Sequence, residues 1–315
     1  MDKLSDKRIA ILVPCYNEAL TITAIVRDFN ACLPQAQVYV FDNNSTDDTA
    51  RIAGEAGAIV RTVTAQGKGS VVRRMFADIQ ADAYVMVDGD DTYDASVAPQ
   101  LVERLFSEGL DMVVGNRVST EQAAYRPGHR FGNALLTGCV SFIFGRTFTD
   151  ILSGYRVFSQ RYVKSFAAHS AGFEIETELT VHALGLRMPV AEVSTVYKSR
   201  PEGSVSKLNT YRDGVRILGT IARLFKSERP LAFYGIGAVL VALLSLLLAE
   251  PLIVTYLHTG LVPRLPTATL CASLMLVALI LLACGIILDA VTKGRIEQKR
   301  FAYLALPAPA PSGQA

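Results

Sequence analysis

The sequence predicts an α/β fold, a parallel sheet with Rossmann-like winding, followed by a membrane-associated end. Three observations predict it. Short apolar runs alternate with amphipathic helical segments from Ile9 to Gly115, the pattern of parallel strands joined by crossover helices. Those runs end in polar or acidic residues, and in an open α/β sheet the strand ends collect at one edge, where ligands bind. Beyond Pro230 the apolar residues gather into two stretches, about Leu231 to Leu248 and about Thr267 to Leu288, each long enough to cross a hydrocarbon core of roughly 30 Å.

Ile9-Ala10-Ile11-Leu12-Val13 is the first strand, stopped by Pro14. Pro14-Cys15-Tyr16-Asn17-Glu18 turns into a helix that places Ile22, Ile25, Val26 and Phe29 on one face. Val38 to Phe41 is the second strand, and Asp42-Asn43-Asn44-Ser45-Thr46-Asp47-Asp48 is a polar loop and helix start. That helix reaches about Ala56, a strand follows from Ala58 to Val63, and Gln66-Gly67-Lys68-Gly69-Ser70 opens a helix through Ile79. The next strand, Tyr84 to Val87, ends in Asp88-Gly89-Asp90-Asp91. Glu18, Asp42, Lys68 and Asp88 thus all fall at strand ends and are expected to converge on an edge that suits a nucleotide. No G-x-G-x-x-G follows the first strand, which removes the dinucleotide reading. Gly67-Lys68-Gly69 lacks Walker spacing and on its own reads as a plain turn.

The acidic group after Val87 carries the chemistry. Carboxylates crowded at a strand end repel one another unless a cation joins them. Mg²⁺ or Mn²⁺, hard ions with oxygen ligands, would bring substrate phosphates with them. The alternative is a solvated acidic turn that starts a helix. Four scattered histidines give a zinc site no support.

Taken together, Pro14-Cys15-Tyr16-Asn17-Glu18, Asp42-Asn43-Asn44-Ser45-Thr46-Asp47 and Asp88-Gly89-Asp90 resemble, in order and spacing, the GT-A glycosyltransferases of the family-2 type, over roughly residues 8 to 215. The resemblance implies a GT-A domain in which Pro14, Tyr16, Glu18 and Asp42 hold the base and ribose of a UDP- or GDP-linked sugar, with Lys68 in the same nucleotide-sugar site. It implies that Asp88 and Asp90 form the DXD motif, touching ribose or sugar and holding Mg²⁺ or Mn²⁺. Related enzymes carry a polar side chain, usually Gln, two places after the second Asp; here Thr92 stands there, a shorter ligand. Asp91 is an extra acid that either supplements the metal shell or caps the next helix.

Leu110 to Gly115 is a further strand, followed by Asn116-Arg117; Arg117 either holds a diphosphate through its planar fork or is a surface arginine. Arg126-Pro127-Gly128-His129-Arg130-Phe131-Gly132-Asn133 reads as an ordered loop, and Ala134 to Phe144 as a helix against the core or the membrane surface. Asp150-Ile151-Leu152-Ser153-Gly154-Tyr155-Arg156 resembles the D-x-x-S-G-F/Y-R segment of polyprenyl-phosphate glycosyltransferases, among them the dolichyl-phosphate mannose synthases. Glu174, Glu176 and Glu178 begin an acidic helix; Glu178 reads as structural, while Glu174 and Glu176 are open to a catalytic or a helix-dipole role. After a strand from Val190 to Val196, Arg200 to Leu208 resembles the R-x-x-G-x-S-K-L loop of the same enzymes with one additional residue. By that resemblance Arg117, Arg130, Arg156 and Arg200, with Ser206 and Lys207, would surround the donor diphosphate and the acceptor phosphate. The catalytic set so implied is Asp88, Asp90, Arg117, Arg130 and Arg200.

Composition fits a membrane enzyme. Half of the residues are hydrophobic, yet the net charge is only +2, so bulk electrostatics does not point to nucleic acid. The five cysteines show no C-x-x-C spacing and suit a reduced, cytosol-facing protein. Met1 to Arg8 is polar and the apolar run after it is short, unlike a secretory signal. The expected organisation is a catalytic domain over 1–207, an amphipathic juxtamembrane helix over 208–229, a transmembrane hairpin over 230–290, and a basic, then disordered, tail over 291–315. In the juxtamembrane helix Tyr211, Val215, Leu218, Ala222 and Phe225 recur at helical spacing among Arg212, Arg216, Arg223 and Lys226, suiting a headgroup layer, with an ordinary amphipathic helix on the catalytic core as the alternative. Arg223, Lys226 and Arg229 precede the hairpin and Lys293, Arg295, Lys299 and Arg300 follow it, while the connection holds only Arg264. The positive-inside rule therefore puts both ends, and the catalytic domain, on the cytoplasmic side of a plasma or bacterial inner membrane.

The expected function is inverting transfer of a sugar from a nucleotide sugar to a polyprenyl phosphate for cell-envelope glycosylation. Rivals are transfer to a diacylglycerol-type lipid, with Glu174 or Glu176 as base, and a catalytically inactive sugar-binding membrane protein. A processive synthase is disfavoured, since its Q-x-x-R-W motif needs a Trp that the chain lacks. Sequence leaves the oligomeric state open, a homo-oligomer of packed hairpins included.

Overall fold

The computed structural model describes residues 4, 6–118, 138, 148–167, 172, 174–198, 219–220 and 222–310. Arg130, Arg200, Ser206 and Lys207 lie outside the described residues, as do the loop from Arg126 to Asn133, the Ala134 to Phe144 segment apart from Gly138, and most of the juxtamembrane segment; residues 222–228 of that segment are helical. The chain divides into two units, Met1–Ile217 with Gln298–Ala315, and Leu218–Glu297.

The first unit is built on strands β1 (Ile9–Cys15), β2 (Gln37–Asp42), β3 (Ile59–Thr62), β4 (Ala83–Met86), β5 (Met112–Val118), β6 (Arg156–Ser159) and β7 (Val190–Val196). They form one seven-stranded sheet in the order β3-β2-β1-β4-β6-β5-β7. Its helices are α1 (Ile22–Cys32), α2 (Thr49–Glu55), α3 (Lys68–Asp78), α4 (Ala98–Ser107), α5 (Gln160–Ser165) and α6 (Ile175–Gly185). The expected strand–helix alternation is present, and α1 buries Ile22, Ile25, Val26 and Phe29, the face that the spacing indicated. Each such side chain removed from water contributes about 1.5–3 kcal/mol. β1 and β4 are apolar along their length because neighbours and helices cover them.

Three details differ from the sequence reading. The sheet is mixed: β6 runs antiparallel between β4 and β5. With only four residues, two of them polar, β6 carries no strand signal of its own. β1 continues through Pro14 to Cys15, because its pairing with β4 ends at Leu12 and the missing N–H of Pro14 falls beyond that ladder. β5 likewise runs on through Asn116 and Arg117 to Val118, held in register by β7 as far as Val196.

The register sets the functional edge. Cys15 pairs with Asp42 and Leu12 with Met86, so the segments that follow β1, β2 and β4 leave the sheet side by side. On the same unit, the Asp111 carboxylate accepts Ser159 Oγ at 2.7 Å, Arg161 Nε at 2.5 Å and the Tyr303 hydroxyl at 2.8 Å, and the Arg161 guanidinium lies 4.6 Å from the Tyr303 ring. The basic segment after the hairpin thus contributes Tyr303 to a buried carboxylate.

The second unit holds most of two long helices, α7 (Pro230–Thr259) and α8 (Leu265–Leu304), both long and apolar enough to cross a membrane. At 40 residues α8 spans about 60 Å, twice a hydrocarbon core, so it extends past the apolar stretch into the basic segment after Leu288. Pro251 does not end α7, which closes instead at Gly260 in the left-handed conformation, with Gly260 N donating to Tyr256 O at 2.8 Å. The residues α7 buries include Ala238, Ser245 and Leu252, and those of α8 are Cys271, Ala278, Gly285 and Thr292, both sets spaced by seven. That is the seam of two helices packed through small side chains, with Ser245 Oγ donating to Cys271 O at 2.8 Å. A Cβ on Gly285 would lie 3.1 Å from Tyr234 Cβ and 3.5 Å from Leu231 Cα, so backbone and side chain meet there with no room to spare.

Candidate active site

The edge beyond β1, β2 and β4 is knitted by polar contacts between loops. After β1, Asn17 takes a left-handed φ of 54°, its N donates to Ser45 Oγ at 2.9 Å, and its Oδ1 accepts Thr46 N at 2.8 Å. Glu18 N donates to Thr49 Oγ1 at 2.9 Å. Asn43 anchors the next loop: its Nδ2 donates to Val63 O and Ala65 O, and its Oδ1 accepts Gly67 N at 2.7 Å. The loop so held delivers Lys68 to the first turn of α3. Asn17 and Asn43 were quoted in the motifs without a role; only the fold shows that their side chains are the loops' fasteners. Pro14 and Glu18 are half-buried, Tyr16 is exposed, and Asp42 is buried with Oδ2 accepting Ser45 N. Asp42 Oδ1 is buried with no hydrogen-bond partner among the described residues. An orphaned carboxylate oxygen is an acceptor without a donor.

Asp88 lies at the centre. Its Oδ1 is 2.5 Å from Lys68 Nζ, and the same ammonium is 2.5 Å from Glu176 Oε1 on α6. Burial works against the Lys68 charge, but Asp88 and Glu176 outweigh it and lift its pKa above the ordinary lysine value. Two carboxylates against one ammonium leave one negative charge in excess. Burial, opposed by Lys68 and reinforced by Asp88, pushes the Glu176 pKa up. The other side of Asp88 rests on Gly154: a Cβ at 154 would overlap the Asp88 carboxylate.

Asp90 is buried, and its Oδ1 accepts Thr92 Oγ1 at 2.6 Å. Asp91 has a φ of 54° and is half-buried; burial raises its pKa, with Lys198 opposing. Arg117 and Asp150 form a two-pronged pair, Nε to Oδ2 at 2.6 Å and Nη2 to Oδ1 at 2.8 Å, with the guanidinium 5.4 Å from the Tyr197 ring. Burial pushes Asp150 up, but the Arg117 hydrogen bond and charge outweigh it and hold the carboxyl below its usual value. Arg117 is thus a held cation at the end of β5, not a loose surface residue.

Arg156 requires correction. It is fully buried and its guanidinium donates to Ser153 O at 2.9 Å, Ile151 O at 2.6 Å and Thr180 Oγ1 at 2.9 Å. It braces the turn from Asp150 to Tyr155 from within and does not reach a phosphate. The rest of that motif serves the same turn: Ser153 Oγ donates to Gly115 O at 2.6 Å and Gly154 N to the Tyr93 hydroxyl at 2.9 Å.

No group of three or more His, Cys, Asp or Glu forms a metal cage among the described residues. At the turn after β4, Asp88 and Asp90 offer only oxygen atoms, the donor type that Mg²⁺ or Mn²⁺ would take; such ions take one or two carboxylates and complete their shell with substrate phosphates and water.

Residues 10–166 match the Glycosyl transferase family 2 model. Glycosyltransferase AglJ of Haloferax volcanii is 39% identical over 233 residues, covering 72% of this chain and 75% of that protein. The chain belongs to glycosyl transferase family 2. A Dolichyl-phosphate hexose transferase of the same organism is 26% identical to this glycosyltransferase over 222 residues, 70% of this chain and 95% of the relative. The sheet and its helices share the fold of glucosyl-3-phosphoglycerate synthase from Mycobacterium tuberculosis, solved with Mn²⁺, UDP-glucose and phosphoglyceric acid. The TM-score is 0.57 at 22% identity over 71% of this chain and 80% of that one. The glycosyltransferase fold is therefore GT-A.

Proposed function

We propose that this glycosyltransferase moves a hexose from a UDP- or GDP-linked donor to a polyprenyl phosphate at the cytoplasmic face of a membrane, with inversion at the anomeric carbon. One observation carries the reading: Glu176, the buried carboxylate that shares the Lys68 ammonium with Asp88, is spent on that cation, as the buried Asp150 is on Arg117. A hydroxyl acceptor needs a base to take its proton; a phosphate monoester is already an anion near neutral pH and needs none. The sequence likeness to a dolichyl-phosphate hexose transferase and the two exposed apolar helices support a lipid acceptor. Segments Met1–Ile217 and Gln298–Ala315 belong to one unit, so the stretch between them crosses any bilayer an even number of times, which suits a hairpin with both ends cytoplasmic.

In this reading the orphaned Asp42 Oδ1 accepts an N–H of the base, uracil or guanine, while Pro14, Tyr16 and Glu18 flank base and ribose. Asp90, with Asp88, would hold a divalent ion, which when bound offsets the charge of the leaving diphosphate. Lys68 fixes Asp88, and Asp88 faces ribose or sugar. Arg117, with Arg130, Arg200, Ser206 and Lys207, lowers the repulsion between the diphosphate and the incoming phosphate. An acceptor phosphate oxygen forms the bond to the anomeric carbon as the bond to the nucleoside diphosphate breaks. The leaving group takes the electron pair and no proton changes hands.

Membranes holding the protein, given a panel of nucleotide sugars and polyprenyl phosphate with and without EDTA, test this. Chelator-sensitive formation of a polyprenyl-phosphate sugar is expected, and release of free sugar with no lipid product under every condition would refute it.

A further inference from the structure

Thr92 stands at the place that the resemblance offers for a further metal ligand, and its hydroxyl is already engaged as a donor to Asp90. It is 1% exposed, and its hydroxyl donates its one proton to Asp90 Oδ1 at 2.6 Å. Its main chain is pinned from the other side: Thr92 O accepts Lys198 N at 2.9 Å just after β7, and Tyr93 bridges Tyr197 in backbone pairing, with their rings 5.4 Å apart. Tyr93, 4% exposed, accepts Gly154 N, the residue on which Asp88 rests. Asp91 makes the sharp turn between Asp90 and Thr92 in left-handed backbone, φ 54°. A rigid frame of β7 and the 153–155 turn therefore ends in one hydroxyl, and that hydroxyl grips one oxygen of Asp90.

We infer that Thr92 is a positioning residue: it orients the Asp90 carboxylate toward the divalent ion and nucleotide diphosphate and does not itself ligate. A carboxylate free to rotate about its last bond must lose that freedom on binding the ion. One already fixed by a buried hydroxyl does not, so the cation is bound more tightly without an additional ligand. A threonine suits the place because its hydroxyl is short and its branched side chain fills a buried position. The inference rests on the metal-assisted, nucleotide-binding reading above.

The test is calorimetry on the full-length protein in detergent micelles, measuring affinity for UDP, and in parallel for GDP, in Mn²⁺ and in EDTA. The ratio of the two affinities is the Mn²⁺ enhancement. Thr92→Ser, which keeps the hydroxyl, is expected to hold the wild-type enhancement within about twofold, and Thr92→Val, which keeps the shape, to lose about tenfold, since a hydrogen bond to a charged group is worth at least that much. Affinity in EDTA should stay as in wild type for both, which separates orientation of Asp90 from general damage. In an Asp90→Ala background, Thr92→Val should cost nothing further, whereas an independent ligand would add its own loss. Full enhancement in Thr92→Val, an added loss in the double variant, or an equal loss in EDTA each overturns the inference. Wild-type protein that binds neither nucleotide more tightly in Mn²⁺ overturns the metal reading as well and is recognised as that separate failure.

Discussion

Asp88 rests directly on Gly154, its carboxylate filling the space where a side chain at 154 would begin. The two residues come from different elements, the end of β4 and the turn before β6, and their contact fixes one wall of the site. Gly154→Ala must therefore push Asp88 off Lys68 or lift the turn. We expect transfer to fall by about 100-fold, the usual cost of misplacing a reacting group by an ångström. Circular dichroism should show an intact fold, because the change adds one methyl at the edge of the sheet. Activity within a factor of two of wild type would show that Asp88 need not stand where it does.

The Lys68 ammonium is shared by Asp88 and Glu176. Lys68→Met removes the cation and leaves two carboxylates facing each other, which should destabilise the protein by about 3–5 kcal/mol at pH 7. Glu176 already has a raised pKa through burial and Asp88, and loss of Lys68 raises it further. Protonation then relieves the repulsion, so the variant should recover stability relative to wild type as the pH is lowered from 7 to 5. Melting curves at both pH values check this; a deficit that grows on acidification would contradict the triad.

His182 is buried against Tyr162 and Phe166, with Nε2 3.1 Å from Ser165 Oγ. Burial, followed by the charge of Lys299, pushes its pKa down to about 3 from 6.5. The unfolded chain thus binds a proton below pH 6.5 that the native protein refuses until about pH 3, so stability falls as pH falls through that window. The slope is about 1.4 kcal/mol per pH unit, or about 2 kcal/mol between pH 6.5 and 5. His182→Gln should lose this part of the acid sensitivity, and equal slopes for the two proteins in pH-dependent melting would count against it.

In the hairpin, a Cβ on Gly285 would lie 3.1 Å from Tyr234 Cβ and 3.5 Å from Leu231 Cα, tight for a methyl and too close for anything larger. Gly285→Leu should force α7 and α8 apart, whereas Gly285→Ala should be mild. A cysteine pair placed at the Ser245–Cys271 contact, by Ser245→Cys, reports the separation. Cross-linking yield should be high with the native Gly285 or with Gly285→Ala, and low with Gly285→Leu; equal yields would mean that the seam lies elsewhere.

Much of this was legible in the residues, for physical reasons. β1, β2 and β4 announce themselves because buried parallel strands need unbroken apolar runs, and Asp42 and Asp88 stand out where those runs stop. β6 was hidden: four residues, with Arg156 and Ser159 at its ends, carry too little pattern, and its partners are distant in sequence. The basic residues were the least legible. Arg156 has the residue type of a phosphate binder, but carbonyls of Ile151 and Ser153 consume its guanidinium, and no local pattern reveals that. Glu176 was readable as an acid at a helix start, while its pairing with Lys68 exists only once α3 and α6 pack together. Pro251 lies just past the apolar stretch that ends at about Leu248, yet α7 continues through it, because a helix among apolar neighbours has no better place for its remaining backbone groups.

The central claim is that the acceptor arrives as an anion and needs no base. The most direct measurement compares transfer to a polyprenyl phosphate and to the matching polyprenol, by purified protein in bilayers with a labelled nucleotide sugar and Mn²⁺. The account predicts a sugar-phosphate-lipid of inverted configuration from the phosphate and no detectable product from the alcohol. Transfer to the alcohol at a comparable rate would contradict it.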